Sequence, residues 1–120
     1  MKRFVLAAAV LLGGLVLAPA AFAHAHLQAA QPPVGGTVSA APTEVVLIFS
    51  EAVEPSLCTV EVKDASGARF DAGAAHAGAD GKHLAVGLKL LSPGVYTVEW
   101  HATSVDTHRT QGKFTFTIKP

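Results

Sequence analysis

The chain has 120 residues, with nine Lys and Arg against nine Asp and Glu, and half of its residues are hydrophobic. A balance of zero without a basic stripe argues against nucleic acid as a partner, and the length suits one small domain. Cys58 is the only cysteine, so no internal disulfide is available and stability must come from packing.

The first residues read as a targeting segment. Lys2 and Arg3 form a positive start, Phe4 to Leu17 is an uncharged apolar run, and Pro19 with Ala21-Phe22-Ala23 completes a cleavage pattern. The rival reading is a membrane anchor over Phe4 to Ala23, just long enough to span a bilayer. Gly13-Gly14, Pro19 and the small-x-small site favour removal after Ala23. The expectation is a signal peptide at 1–23 and an exported domain at 24–120. That domain carries seven cationic and nine anionic side chains, a balance of −2, and no methionine.

The domain reads as all-β. Residues Gln28 to Pro42, with Pro32, Pro33, Gly35 and Gly36, suggest an irregular edge strand. Glu44 to Phe49 is short and β-branched, and Thr59 to Lys63 alternates apolar and polar at the period of a half-buried strand. Asp64-Ala65-Ser66-Gly67 is a turn, followed by a short strand near Ala68 to Asp71. Gly73 to Gly81, rich in Ala and Gly, reads as a loop. Strands resume over His83 to Leu90, Val95 to Thr103 and Lys113 to Lys119, with a turn at Ser92-Pro93-Gly94. About seven short strands without an amphipathic helix indicate a β-sandwich or Greek-key barrel. The expected core is Phe49, Val60, Val62, Tyr96, Val98, Trp100, Phe114 and Phe116, with Cys58 facing inward beside Val60.

Two short stretches carry the chemistry. Cleavage after Ala23 would make His24 the N-terminus of His24-Ala25-His26, offering an α-amine and an imidazole from one residue. Asp106 and His108 of Val105-Asp106-Thr107-His108 offer a carboxylate and a second imidazole. Two residues apart on an extended segment, they would project to one side. Three nitrogens and one oxygen in a tetragonal set suit Cu(II). The bland alternative is a surface turn with a capping Asp and an exposed His. His26, third from the new terminus, is a secondary candidate, because amine, two backbone amides and a third-position imidazole form a local chelate that competes for the same amine.

The run His24-Ala25-His26-Leu27, with Ala41-Pro42, Phe49-Ser50-Glu51, Gly94-Val95-Tyr96, Trp100, Ser104 to His108, Gly112 and Phe114-Thr115-Phe116, resembles the CopC/PcoC family of periplasmic copper proteins. The resemblance covers the domain in order. It implies an immunoglobulin-like β-sandwich, a Cu(II) ligand set of His24, Asp106 and His108, and a role in copper resistance or uptake beside an inner-membrane CopD-type transporter. It also implies that Glu51 tunes the metal from just outside the ligands or as a weak axial donor. Some members carry a methionine-rich loop for Cu(I). Here the matching region near Gly73 to Gly81 has no methionine and offers only His76 and, just beyond, His83. A soft site of Cys58, His76 and His83 is conceivable, but a buried Cys58 and two solvated histidines are the better reading, as is an exposed His101. The protein reads as a monomeric copper carrier rather than an enzyme. The competing class is a copper oxygenase, which also places an N-terminal His on a β-sandwich.

Overall fold

The computed structural model describes residues 25–120; the expected signal peptide, its cleavage site and His24 lie outside them. Eight strands form two four-stranded sheets: β1 (Leu27–Gln31), β2 (Thr37–Val38), β3 (Glu44–Phe49), β4 (Thr59–Lys63), β5 (Asp71–Ala77), β6 (His83–Leu88), β7 (Gly94–Thr103) and β8 (Arg109–Ile118). The first sheet runs β1-β3-β6-β5 and the second β2-β8-β7-β4. All pairings are antiparallel except β2 with β8, where Thr37 lies beside Thr117. The chain changes sheet at each step from β1 to β5, which is how a sandwich buries both inner faces.

Alternation decides which face is inside. Val45, Leu47 and Phe49 of β3, Leu84 and Val86 of β6, Tyr96, Val98 and Trp100 of β7, and Phe114, Phe116 and Ile118 of β8 are all buried. Every core residue expected from the sequence is there, and Cys58 is buried beside Val60. Among the described residues, three ring contacts organise the interior. Phe49 meets Trp100 edge-on at 5.2 Å, Phe70 meets Tyr96 edge-on at 5.6 Å, and Tyr96 stacks on Phe116 at 5.5 Å. The Tyr96 hydroxyl donates to the Ser92 carbonyl at 2.7 Å and accepts the Ser92 N–H at 3.1 Å. The turn before β7 is thereby closed by a residue of β7 itself, and a buried phenol is satisfied.

Several elements differ from the sequence reading. Gly73 to Ala77 is strand rather than loop: β5 pairs with β6 through Asp71 opposite Leu88 and His76 opposite Ala85. Ala and Gly are poor strand formers in isolation, but strand propensity reflects fit to neighbours, and Ala75 packs against the core. A register shift between Ala72 and His76, with Gly73 at φ 81°, marks a bulge there. The short strand expected near Ala68 to Asp71 is only a bridge between Lys63 and Arg69. The last strand begins earlier than Lys113, at Arg109, because the β7–β8 hairpin pairs without interruption from Gly94–Ile118 to Thr103–Arg109. The Gln28 to Pro42 segment supplies β1 at the edge of the first sheet and the two-residue β2 at the edge of the second.

Asp71 links the two halves at their open side. Its carboxylate accepts Arg69 Nε and Nη2, both at 2.7 Å, and the Val62 N–H of β4 at 3.0 Å. These bonds, the Arg69 guanidinium first, hold its carboxyl down at about 2. A depressed folded-state pKa contributes stability that is complete above the ordinary value near 3.8 and lost as pH falls towards about 2. Arg69 is half exposed, so solvent screening holds the contribution to about 1 kcal/mol. Asp71→Asn is expected to lower stability by about that amount at neutral pH and to flatten the acid limb of a stability–pH curve between 4 and 2. Urea titrations at several pH values check it.

Candidate metal centre

The β7–β8 turn is a hairpin with a three-residue loop. The Ser104 N–H donates to the His108 carbonyl at 2.9 Å, and the Thr107 N–H donates to the Ser104 carbonyl at 2.8 Å. Val105, Asp106 and Thr107 form the loop, and Thr107 takes the left-handed conformation at φ 75° that closes such loops. Asp106 and His108 therefore do not lie on an extended segment, as the sequence reading had them. The turn still brings them together: His108 Nδ1 is 3.3 Å from Asp106 Oδ1. Both side chains are nearly half exposed, so the pair is open to an ion from solvent.

Ser104 supplies the support that the sequence reading missed. It is buried, and its hydroxyl donates a short bond to Asp106 Oδ1. That bond first, then His108, holds the Asp106 carboxyl below the usual carboxylate range. Asp106 is thus a carboxylate at neutral pH. The Ser-x-Asp spacing, common in turns that fold a side chain back on the chain, was the available signal.

Two other segments meet this turn. The Ser50–Glu54 segment after β3 lies alongside it: Val105 N–H donates to the Ala52 carbonyl at 3.1 Å, Glu54 N–H to the Thr103 carbonyl at 2.8 Å, and Val53 bridges Ser104. Glu51 sits on this segment, exposed and next to Ala52. The start of the described chain lies between the two. Ala25 is wholly buried, and its carbonyl accepts the Thr110 hydroxyl at 2.8 Å. The His26 N–H donates to Ser50 Oγ at 2.9 Å, and the Ser50 N–H donates back to the His26 carbonyl at 2.9 Å. Residues 25 and 26 are therefore fixed from both sheets, within two residues of His108 on one side and beside Glu51 on the other. His24 itself lies outside the described residues.

The remaining candidates are elsewhere. Cys58 Sγ contacts the Glu54 carbonyl at 3.2 Å and accepts the Thr103 N–H at 3.4 Å, and burial raises its pKa. His76 is exposed on β5 rather than in a loop, and His83 pairs with Asp80 at 2.9 Å. His101 is exposed and 3.8 Å from Glu99. Among the described residues no three His, Cys, Asp or Glu side chains converge as a metal cage. The soft Cys58, His76, His83 grouping is thus not assembled.

Fold and site together define a two-sheet sandwich with an acidic–histidine hairpin at one end and its first strand pinned against that hairpin. The CopC domain family model matches residues 27–119, and the chain belongs to that family. It is 39% identical over 115 residues to Protein YobA of Escherichia coli K12, covering 94% of this chain and 92% of that protein. It is 33% identical over 124 residues to Copper resistance protein C of Xanthomonas campestris pv. juglandis, covering 98% and 97%. Among solved structures, CopC from Methylosinus trichosporium OB3b superposes with a TM-score of 0.76 at 31% identity, covering 81% of this chain and 95% of that one. PcoC, a methionine-rich copper resistance protein from Escherichia coli, gives 0.71 at 31%, covering 81% and 100%.

Ser104→Ala is expected to raise the Asp106 carboxyl pKa towards its ordinary value and to destabilise the fold by about 1 kcal/mol. Carboxyl carbon shifts followed by NMR through the acid range, with denaturant midpoints, check both.

Proposed function

We propose that this protein is a periplasmic Cu(II) carrier or buffer whose site is completed by removal of residues 1–23. Cu(II) is held by the α-amine and imidazole of His24, the Asp106 carboxylate and the His108 imidazole. The supporting observation is the anchoring of Ala25. Residue 24 is one peptide unit from it, about 3.8 Å between α-carbons, and Ala25 is tied to Thr110, two residues beyond His108. Copper displaces the protons of the amine and the imidazoles around neutral pH. Asp106 brings a charge that needs no deprotonation. An ion entering between Asp106 and His108 replaces their mutual contact with two coordinate bonds.

The local three-residue chelate is disfavoured for a structural reason. It needs the His26 amide nitrogen as a deprotonated ligand, and that N–H is committed to Ser50 Oγ. Glu51, on the adjoining segment, tunes the site. Copper leaves on reduction, because the processed chain has no thioether and its one thiol is buried. The protein works as a non-enzymatic monomer that exchanges copper with an inner-membrane CopD-type transporter. A copper oxygenase is the weaker reading. Asp106 takes an equatorial position that oxygen chemistry needs open, and Tyr96 and Trp100 are buried rather than forming a flat face for polysaccharide.

In the processed protein, one added residue before His24 is expected to weaken Cu(II) binding at least tenfold, as are His108→Ala and Asp106→Ala; even an outer hydrogen-bonding partner of a metal is worth about 10–100-fold. His26→Ala should cost less. Competition titration with electron paramagnetic resonance reads the ranking, and a severe His26→Ala with a silent His108→Ala would overturn the ligand set. Affinity should also fall as pH drops below neutral, because protons compete for the amine and both imidazoles.

A further inference from the structure

The outer face of the first sheet carries two histidines that the copper site does not use. In the β5–β6 hairpin, Ala77 lies opposite Leu84 and His76 opposite Ala85. Leu84 is buried, so the neighbouring positions, His76 and Ala85, face outward. One step further, Gly78 lies opposite His83. The Gly78 N–H donates to the His83 carbonyl at 2.8 Å, and a β-carbon at Gly78 would stand 3.2 Å from that of His83. His76 and His83 are therefore diagonal neighbours on one open face, about 7 Å apart. The side chain that would otherwise stand beside them, at Gly78, is missing.

Asp80, in the turn of the same hairpin, is fixed against His83. Its Oδ1 accepts the Lys82 and His83 N–H groups at 2.9 and 3.2 Å, and its two oxygens lie 3.0 and 2.9 Å from His83 Nδ1. A carboxylate on one ring nitrogen keeps the proton there and leaves the other nitrogen with its lone pair outward. Histidines that ligate metals are almost always held in this way.

We propose that His76 and His83 bind a borderline divalent cation such as Zn(II) on this face, with Asp80 orienting His83 and water filling the remaining positions. Imidazole suits such ions. The ligand set has no sulfur, since Cys58 is buried against Thr103. The site forms when His76 turns about its side-chain bonds towards His83, over the space that Gly78 leaves. It does not depend on the N-terminus or on the β7–β8 hairpin.

The test is a Zn(II) titration of the His108→Ala protein, followed by histidine ring nitrogen shifts in NMR. That background keeps the outcome separate from the fate of the copper site. The first equivalent of Zn(II) should move His76 and His83 together and leave His101 unmoved. His76→Ala and His83→Ala should each weaken binding at least tenfold, and Asp80→Asn about 10–100-fold. His76 is exposed on an edge strand, so His76→Ala leaves the core intact and serves as the decisive variant. Zn(II) affinity within twofold of the parent in His76→Ala, shifts confined to other histidines, or no saturable binding would each overturn the proposal.

Discussion

Trp100 lies directly across Gly112, and much of the sandwich depends on that fit. A β-carbon on Gly112 would come within 2.6 Å of the indole, closer than packed atoms tolerate. The ring occupies the space a side chain would have filled on β8 and reaches Phe49 of the other sheet edge-on. One contact thus ties β7 to β8 and both to β3. Without a disulfide, this interlocking of a large ring with an absent side chain does what a covalent link does in small disulfide-bonded domains. The strands it joins are those whose ends carry Ser50 and the β7–β8 hairpin, so the core packing sets the geometry around Asp106 and His108 a few residues away.

At that end, three segments distant in sequence are stitched by hydrogen bonds that involve few side chains. Ser50 bonds His26 in both directions, Thr110 holds Ala25, and Ser104 holds Asp106. Each is a hydroxyl residue at the end of a strand, short enough to reach backbone without losing much side-chain entropy. Asp106 and His108 stay exposed while their supports are fixed by the fold.

Much of this was legible in the sequence. β3 and β4 were readable to the residue, because their alternation is unbroken, and the core followed from it. β5 was not, because Ala72 to Ala77 carries no periodic signal of its own. It is a strand only because β6 offers a partner and the core a place for Ala75. The Asp106–His108 pairing was legible from their separation, but through the wrong geometry. A left-handed Thr107 is uncommon for a β-branched residue, and nothing in the local sequence announces it. The supporting hydroxyls of Ser104 and Thr110 had the weakest signals, since Ser and Thr are common and their roles depend on what the fold brings near. His24 was the most telling residue in the sequence, and it lies outside the described residues; its neighbour does not.

That neighbour, Ala25, has a consequence of its own. Its side chain is completely enclosed, and its carbonyl is held by Thr110. A larger side chain would have to displace the adjoining core or pull the first strand off the sheet. The choice of residue at position 25 is therefore settled by packing from the folded side. An alanine here thus sets how near the segment leading into β1 can approach the β7–β8 hairpin.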